Sequence, residues 1–339
     1  MASTQRIAYI DALRGLLIFL IIYYHTNLFM GRGIELFDAI WDTALNSFIL
    51  PLFFFISGYI SHKARELTIK SYTTSIFKKA QALLIPTCIF SILYSITFYS
   101  RIQIGVAGYW FTIVLFEFFT IIYTINLIFK KHNTLGLVFL IVLAIIGGVF
   151  FSLNIGQNWV CYGPLSLDNS FQYFQFFVLG IIAQRYNDTT KQILNNSFFN
   201  SIAILIFVIS LILINNTSVC DINTLKILIR SFIIRYAGLF IVVSLFYRHR
   251  SYFAENNRIS RAMQYVGRHT LDIYMLHYFF IDFNSTIASK IHNLGHLPLE
   301  VTCISILALA NIALCLLLSQ CIRNSRFLAK YLFGAKPTN

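Results

Sequence analysis

The chain has 339 residues, 58% of them hydrophobic and 12% charged, with 34 Phe and a mean hydropathy of +0.71. So little polar surface excludes a water-soluble domain, and the apolar runs have the length that crosses a bilayer. The formal net charge of +13 comes without an interleaved basic–aromatic RNA-binding motif, so it reads as a membrane-topology signal, with no nucleic-acid partner.

Ten apolar segments are predicted to span the membrane: 8–29, 45–62, 81–100, 108–129, 133–152, 170–184, 199–215, 228–247, 270–289 and 299–322. The intervals between them are too short for a soluble domain. The expected fold class is therefore all-α, a polytopic integral membrane protein forming one domain over 1–339. Its transmembrane bundle would cover about 7–322, with a cytoplasmic amphipathic tail over 323–339. Of the 26 Lys and Arg residues, only Arg32, Arg101, Lys226 and Lys290 fall between spans on one side. Arg14, Arg230 and Arg235 lie within spans, leaving 19 on the side of the N-terminus. That asymmetry predicts both termini in the cytoplasm.

The first segment carries Tyr9-Ile-Asp11-Ala-Leu-Arg14-Gly15 and then Tyr24-His25. Eleven residues at about 100° each bring His25 back to within roughly 20° of Arg14, so a helix places both on one face, roughly 16 Å apart. Ionisable side chains at membrane depth are costly and mark functional sites by default. Asp11, three residues before Arg14, is a candidate partner for the guanidinium. The plainer alternative is an Asp11–Arg14 pair that pins the helix end and a histidine bonded to a neighbouring helix. The charges and the lack of a small-residue cleavage site make this segment a span, not a cleaved signal.

The outward stretch Gly31–Asp42 is acidic, with Glu35, Asp38 and Asp42 against Arg32. It reads either as a solvated loop or as hydrogen-bonding groups for a polar acceptor. Ser57-Gly58 closes the second segment, where small residues permit close helix packing. In the third, Lys78 and Lys79 precede Pro86, which kinks or starts the span. Tyr109 and Trp110 open the fourth, as interfacial anchors or as part of a site. Glu117 follows within it, and Arg235 in segment eight has opposite charge at similar depth, a candidate structural pair. The loop after segment eight holds Arg248, Arg250, Arg258, Arg261 and Arg268, suited to anionic lipid or to phosphate. Asp272, His277 and Asp282 lie in segment nine. Asp272 and His277 are about 140° apart and do not share a face. His277 reads first as a hydrogen-bonded packing histidine. The tail interleaves Phe327, Leu328, Tyr331, Leu332 and Phe333 with Arg326 and Lys330, the pattern of a helix lying on the inner surface.

Six cysteines show neither CxxC nor metal-ligand spacing, and no metal is expected. Cys88, Cys303, Cys315 and Cys321 act as small apolar residues. Cys161 and Cys220 fall in outward loops, able to pair in an oxidising compartment. A histidine serves as general base or acyl-carrying nucleophile, and an arginine near the inner end suits a phosphate or carbonyl oxygen. Together they indicate group transfer from a phosphorylated cytoplasmic donor to a hydroxyl. A transporter exporting a small anionic or acylated metabolite stays open as the alternative, since Arg, His and Glu in helices also form proton relays. No inverted symmetry between halves supports it. A ligase or polymerase of lipid-linked saccharides would call for a larger outward loop.

The chain resembles the acyltransferase 3 family of bacterial membrane O-acyltransferases over essentially its whole length. The matching stretches are Tyr9-Ile-Asp11-Ala-Leu-Arg14-Gly15 with His25 after ten intervening residues, and Pro51-Leu-Phe-Phe-Phe-Ile-Ser57-Gly58-Tyr59. They continue with Lys78-Lys79 before Leu83-Leu-Ile-Pro86, Tyr109-Trp110-Phe111, and Gly267-Arg-His-Thr270-Leu-Asp-Ile-Tyr274-Met-Leu-His277. The resemblance implies a ten-helix enzyme of the inner membrane that moves an acyl group, usually acetyl, from acyl-CoA to a hydroxyl of a surface glycan or its lipid-linked precursor. It makes His25 the base or transient acyl carrier, with Arg14, supported by Asp11, engaging the donor. Lys78 and Lys79 would meet the CoA phosphates. Glu35, Trp110, Glu117, Tyr274 and His277 are assigned to the acceptor. Membrane lipid is a further partner, and a homo-oligomer stays open. The chain departs from the family at Ala82, where many members have arginine, and at Thr87, where tyrosine is frequent, so phosphate binding leans on Lys78, Lys79 or the basic loop.

Overall fold

The computed structural model describes residues 7–29, 35–61, 68–99, 107–130, 132–152, 166–215, 229–254, 257–292 and 297–334, and every regular element among them is helical. The expectations for Arg32, Cys161 and Cys220, and for the side chains of Glu35, Asp38, Asp42, Arg230 and Asp282, lie outside the described residues. Helices are what a bilayer demands of such segments, because the chain must satisfy its own N–H and C=O groups there.

In chain order the helices are α1 (Ala8–Phe29), α2 (Glu35–Ser61), α3 (Ile69–Tyr99), α4 (Trp110–Ile128, after a 3-10 turn), α5 (Asn133–Ser152), α6 (Leu167–Arg185) and α7 (Asn187–Asn195). There follow α8 (Ser197–Asn215), α9 (Ile234–Arg248, after a π turn at Ile229–Ile233), α10 (Arg250–Ala254), α11 (Arg258–Arg268), α12 (Thr270–His292), α13 (Leu297–Arg323) and α14 (Arg326–Phe333). Among the described residues seven helices are long and apolar enough to cross a membrane: α1, α2, α3, α4, α5, α8 and α13. The protein is thus a polytopic, all-helical membrane protein. The remaining expected segments are also helical, as α6, α9 and α12, and each carries polar groups within its length, among them Gln172 and Gln175, Arg235, and Asp272 and His277.

Three boundaries differ from expectation. The acidic stretch read as a loop is helical from Glu35 onward, and α3 starts at Ile69, twelve residues before the expected 81. The basic loop after segment eight contains α10 and α11. Hydropathy marks only the apolar part of a helix, whereas backbone hydrogen bonding continues wherever the chain is free of breakers. At 31 residues, α3 is about 46 Å long, well beyond a hydrocarbon core of about 30 Å.

The chain forms two compact units, one of residues 1–56 and 186–316, the other of residues 57–185 and 317–339. In the first, α1 packs against α10, α11 and α12, and α9 against α7 and α8. Leu13, Leu17, Ile18 and Ile22 of α1, with Ile234 of α9 and Ile273 of α12, are fully buried there. The C-terminal end of α7 is held by α9: Ser244 Oγ and Arg248 Nε both donate to the Leu194 carbonyl, at 2.6 and 3.0 Å.

In the second unit α3 packs on α4 and α14, α4 on α6, and α5 on α6. Phe118 and Phe119 of α4 meet Phe174 and Phe177 of α6, with ring centres 5.1–5.6 Å apart. Gly58 lies against the Phe177 carbonyl so closely that a Cβ would collide with main chain, which supports the packing reading of Ser57-Gly58. Thr87 pairs its hydroxyl with Thr112, joining α3 to α4. Gly334 ends α14 in the left-handed region, φ +57°, donating its N–H to Ala329, and a Cβ on it would lie 2.6 Å from Ala82 Cα. The small side chain at 82 therefore suits a backbone contact with α14. Phe327 is 69% exposed while Phe333 is buried, the two-sided pattern expected of this tail helix. Ile145 and Leu205, each 60% exposed, belong to apolar faces suited to lipid.

Candidate active site

In the first unit two glycines bring α1 and α11 into backbone contact. A Cβ on Gly15 would meet the Met263 carbonyl, and one on Gly267 would meet the Asp11 carbonyl. Small residues allow such close crossings in membrane proteins. Asn257 caps α11 by accepting from the Ser260 N–H at 2.7 Å. The chain breaks at His269 and restarts as α12 at Thr270. The break sets Thr270 beside α1, where its Oγ1 accepts a 2.6 Å hydrogen bond from Arg14 Nη2. Three residues of the motif Gly267–Thr270 thus act in one place: Gly267 admits α1, His269 separates the helices, and Thr270 receives the guanidinium. His269 Nδ1 also lies 3.2 Å from Oδ2 of the buried Asp272, in the first turn of α12, where a carboxylate complements the helix dipole.

About three turns along α1, His25 meets α12 again. Its Nδ1 is 3.0 Å from Nε2 of His277, and the two ring planes are 8° apart with centres 5.2 Å apart. Parallel planes with so short an N···N distance describe rings joined edge to edge, not face on face. Tyr278 packs its ring 5.1 Å from that of His25 and 4.0 Å from that of His277. Its hydroxyl is 3.5 Å from His25 Nε2, too long for a strong bond. His277 is fully buried, with Nδ1 2.7 Å from the Tyr274 carbonyl and 3.2 Å from that of Ile273. Asn311 of α13 donates to the His277 carbonyl at 3.2 Å and accepts from the Cys315 thiol at 3.2 Å. His277 is therefore held through its ring by carbonyls of α12 and through its own carbonyl by α13.

The structure brings together Arg14 with Thr270, and His25 with His277. Tyr274 is buried, its ring centre 5.9 Å from that of His277. Asp11, on α1, belongs to the first unit as well, as does Glu35, whose side chain lies outside the described residues, whereas Lys78, Lys79, Trp110 and Glu117 belong to the second. Trp110 stacks on Tyr173 with centres 5.8 Å apart. Glu117 accepts a hydrogen bond from Ser170, and its other carboxylate oxygen is buried with no hydrogen-bond partner among the described residues. The Lys79 ammonium sits 3.5 Å above the centre of the Phe119 ring, whereas Lys78 is exposed. Tyr278 and the His269–Asp272 pair were not singled out by sequence reasoning. The signal for Tyr278 was its place beside His277 in a helix that already held two unusual polar residues.

Arg14 and His25 thus occupy one face of α1, with a fork of donors toward its N-terminal end and an imidazole about three turns along, toward its C-terminal end. That arrangement can bind a polarised oxygen and move a proton at separate points on one helix. The acyltransferase 3 family model, an acyltransferase domain, matches residues 7–320. No curated protein and no solved structure matches the chain. The chain belongs to the acyltransferase 3 family and is a membrane acyltransferase.

Proposed function

We propose that the protein is an O-acyltransferase of the bacterial inner membrane. It takes an acyl group, acetyl first among candidates, from acyl-CoA and delivers it to a hydroxyl of a cell-surface glycan or its lipid-linked precursor. The observation that carries this reading is the anchoring of Arg14 and His25, on one face of α1, to successive points of α12 through Thr270 and His277. Two ionisable side chains at membrane depth, each fixed by a long-range hydrogen bond, are what a reaction centre requires.

His25 Nε2 accepts the proton of the acceptor hydroxyl as its oxygen attacks the thioester carbonyl carbon. Arg14, roughly 16 Å from His25 along α1, does not touch the reacting carbonyl and donates to a phosphate of the donor, holding it for the transfer. The C–S bond then breaks, and the proton passes from the imidazolium to the departing thiolate, leaving ester and free CoA. The exposed Lys78 supplies a cation for the CoA phosphates. The reading takes ten spans with both termini in the cytoplasm, an orientation supported by the asymmetry of Lys and Arg between the two sides, which would put the basic segments on the donor's side.

The test is turnover of labelled acetyl-CoA by reconstituted wild type beside His25→Ala. CoA release and label on an added glycan acceptor in wild type, with transfer down about 10²-fold or more in the variant, are expected. Equal transfer by folded His25→Ala overturns the role of His25. Folded wild type without turnover in the presence of acceptor moves the exporter reading ahead.

A further inference from the structure

We propose that His277 is a positioning residue for His25, fixing its tautomer so that the reactive lone pair lies on Nε2. The inference rests on the reading of His25 as the base and adds the group that makes it one.

Nδ1 of His277 faces two backbone carbonyls, Tyr274 at 2.7 Å and Ile273 at 3.2 Å. Carbonyl oxygens only accept, so Nδ1 must bear the hydrogen. In neutral His277 this leaves Nε2 as an acceptor. The group facing that lone pair is Nδ1 of His25, 3.0 Å away and nearly in the ring plane. His25 Nδ1 must then be the donor, and its own lone pair lies on Nε2. Across from Nε2 is the Tyr278 hydroxyl at 3.5 Å, a long contact that an incoming hydroxyl can replace.

The arrangement resolves the two roles of the pair. His277 has both nitrogens engaged inside the protein and is fully buried, so it contacts no substrate. His25 has one nitrogen committed and one facing the place where chemistry needs a base. When Nε2 takes a proton, the Nδ1–H to Nε2 bond becomes charge-assisted and strengthens in the imidazolium. A neutral histidine here performs the orienting task that a carboxylate performs in other histidine-based sites. It does so without placing a second formal charge in the bilayer, where an ionised side chain costs several kcal/mol. The two helices keep this register because the Gly15 and Gly267 contacts fix α1 against α11, which is separated from α12 by His269 alone.

The test uses full-length protein with His277→Ala and His277→Gln beside His25→Ala. A glutamine amide oxygen can occupy the position of Nε2 and accept from His25, whereas alanine cannot. His277→Ala is expected to lower kcat by about 10²-fold or more with KM for acetyl-CoA within about threefold, and His277→Gln to recover at least about tenfold of that loss. Nitrogen-15 NMR of labelled histidine in wild type, needing neither variant nor turnover, is expected to show His25 protonated at Nδ1 and bare at Nε2. Wild-type His25 protonated at Nε2, a normal kcat in His277→Ala, or equal loss in alanine and glutamine variants overturns the proposal. If His25→Ala itself transfers acyl groups normally, the reading of the base fails, a result separable from these.

Discussion

Nδ1 of His25 and Nε2 of His277 lie 3.0 Å apart across 252 residues of sequence. The bond ties the first span to a helix near the end of the chain. A hydrogen bond away from water is electrostatically stronger than one in it, and a polar group left without a partner there is correspondingly costly. The pair is therefore both a fold constraint joining α1 to α12 and the feature that aims the catalytic candidate.

Arg14→Lys keeps the charge but not the planar fork that reaches Thr270. Its kcat/KM is expected to fall by about 10²-fold. Thr270→Val removes the 2.6 Å partner of Nη2 while keeping side-chain shape, and a fall of about tenfold is expected, with Thr270→Ser restoring most of it. Donor-concentration series on the three variants check this. Normal turnover by Arg14→Lys would show the guanidinium to be only a counter-charge.

Gly15 and Gly267 meet main chain, not flexible side chains. Gly15→Leu or Gly267→Val must push α1 from α11 and are expected to destabilise the protein by about 3 kcal/mol or more. Gly136→Ala serves as control, its added Cβ meeting side chains and no main chain, Phe129 at 3.2 Å and Ile125 at 3.6 Å. Thermal unfolding in detergent, read with acyl transfer, should show the first two inactive and less stable, and the control close to wild type.

The neighbouring lysines should separate. Lys79→Met loses the contact over Phe119 and is expected to lower stability by about 1 kcal/mol with little change in donor KM. Lys78→Met, at an exposed position, should leave stability unchanged and raise KM for acetyl-CoA by roughly tenfold if it contacts phosphate. The reverse pattern in paired unfolding and kinetic measurements would transfer the phosphate role to Lys79.

Much of the architecture was legible in the chain. Each of the ten expected segments is helical, because an apolar stretch of span length has few ways to satisfy its backbone in lipid. The shared face of Arg14 and His25 was equally readable, since helical periodicity alone decides it. The ends of α2 and α3 were less so: Glu35, Lys70 and Lys78 are polar enough to resemble loop, yet nothing in those stretches breaks a helix.

The partners were not legible. Thr270 stands in a matching stretch, Gly267-Arg-His-Thr270, yet nothing there announces it as a long-range acceptor for Arg14. His277 read first as a packing histidine, and only the two carbonyls at its Nδ1 and the imidazole at its Nε2 give it a direction. Nothing in the sequence singled out Ser170 as a hydrogen-bond donor to Glu117. The sequence by itself determined a helical membrane protein, its family and the helix face shared by Arg14 and His25, because composition, periodicity and motif order are properties of one strand of chain. Tertiary structure alone decided what stands against His25 and what holds Arg14, because those depend on donors and acceptors brought from distant helices across glycine-sized gaps.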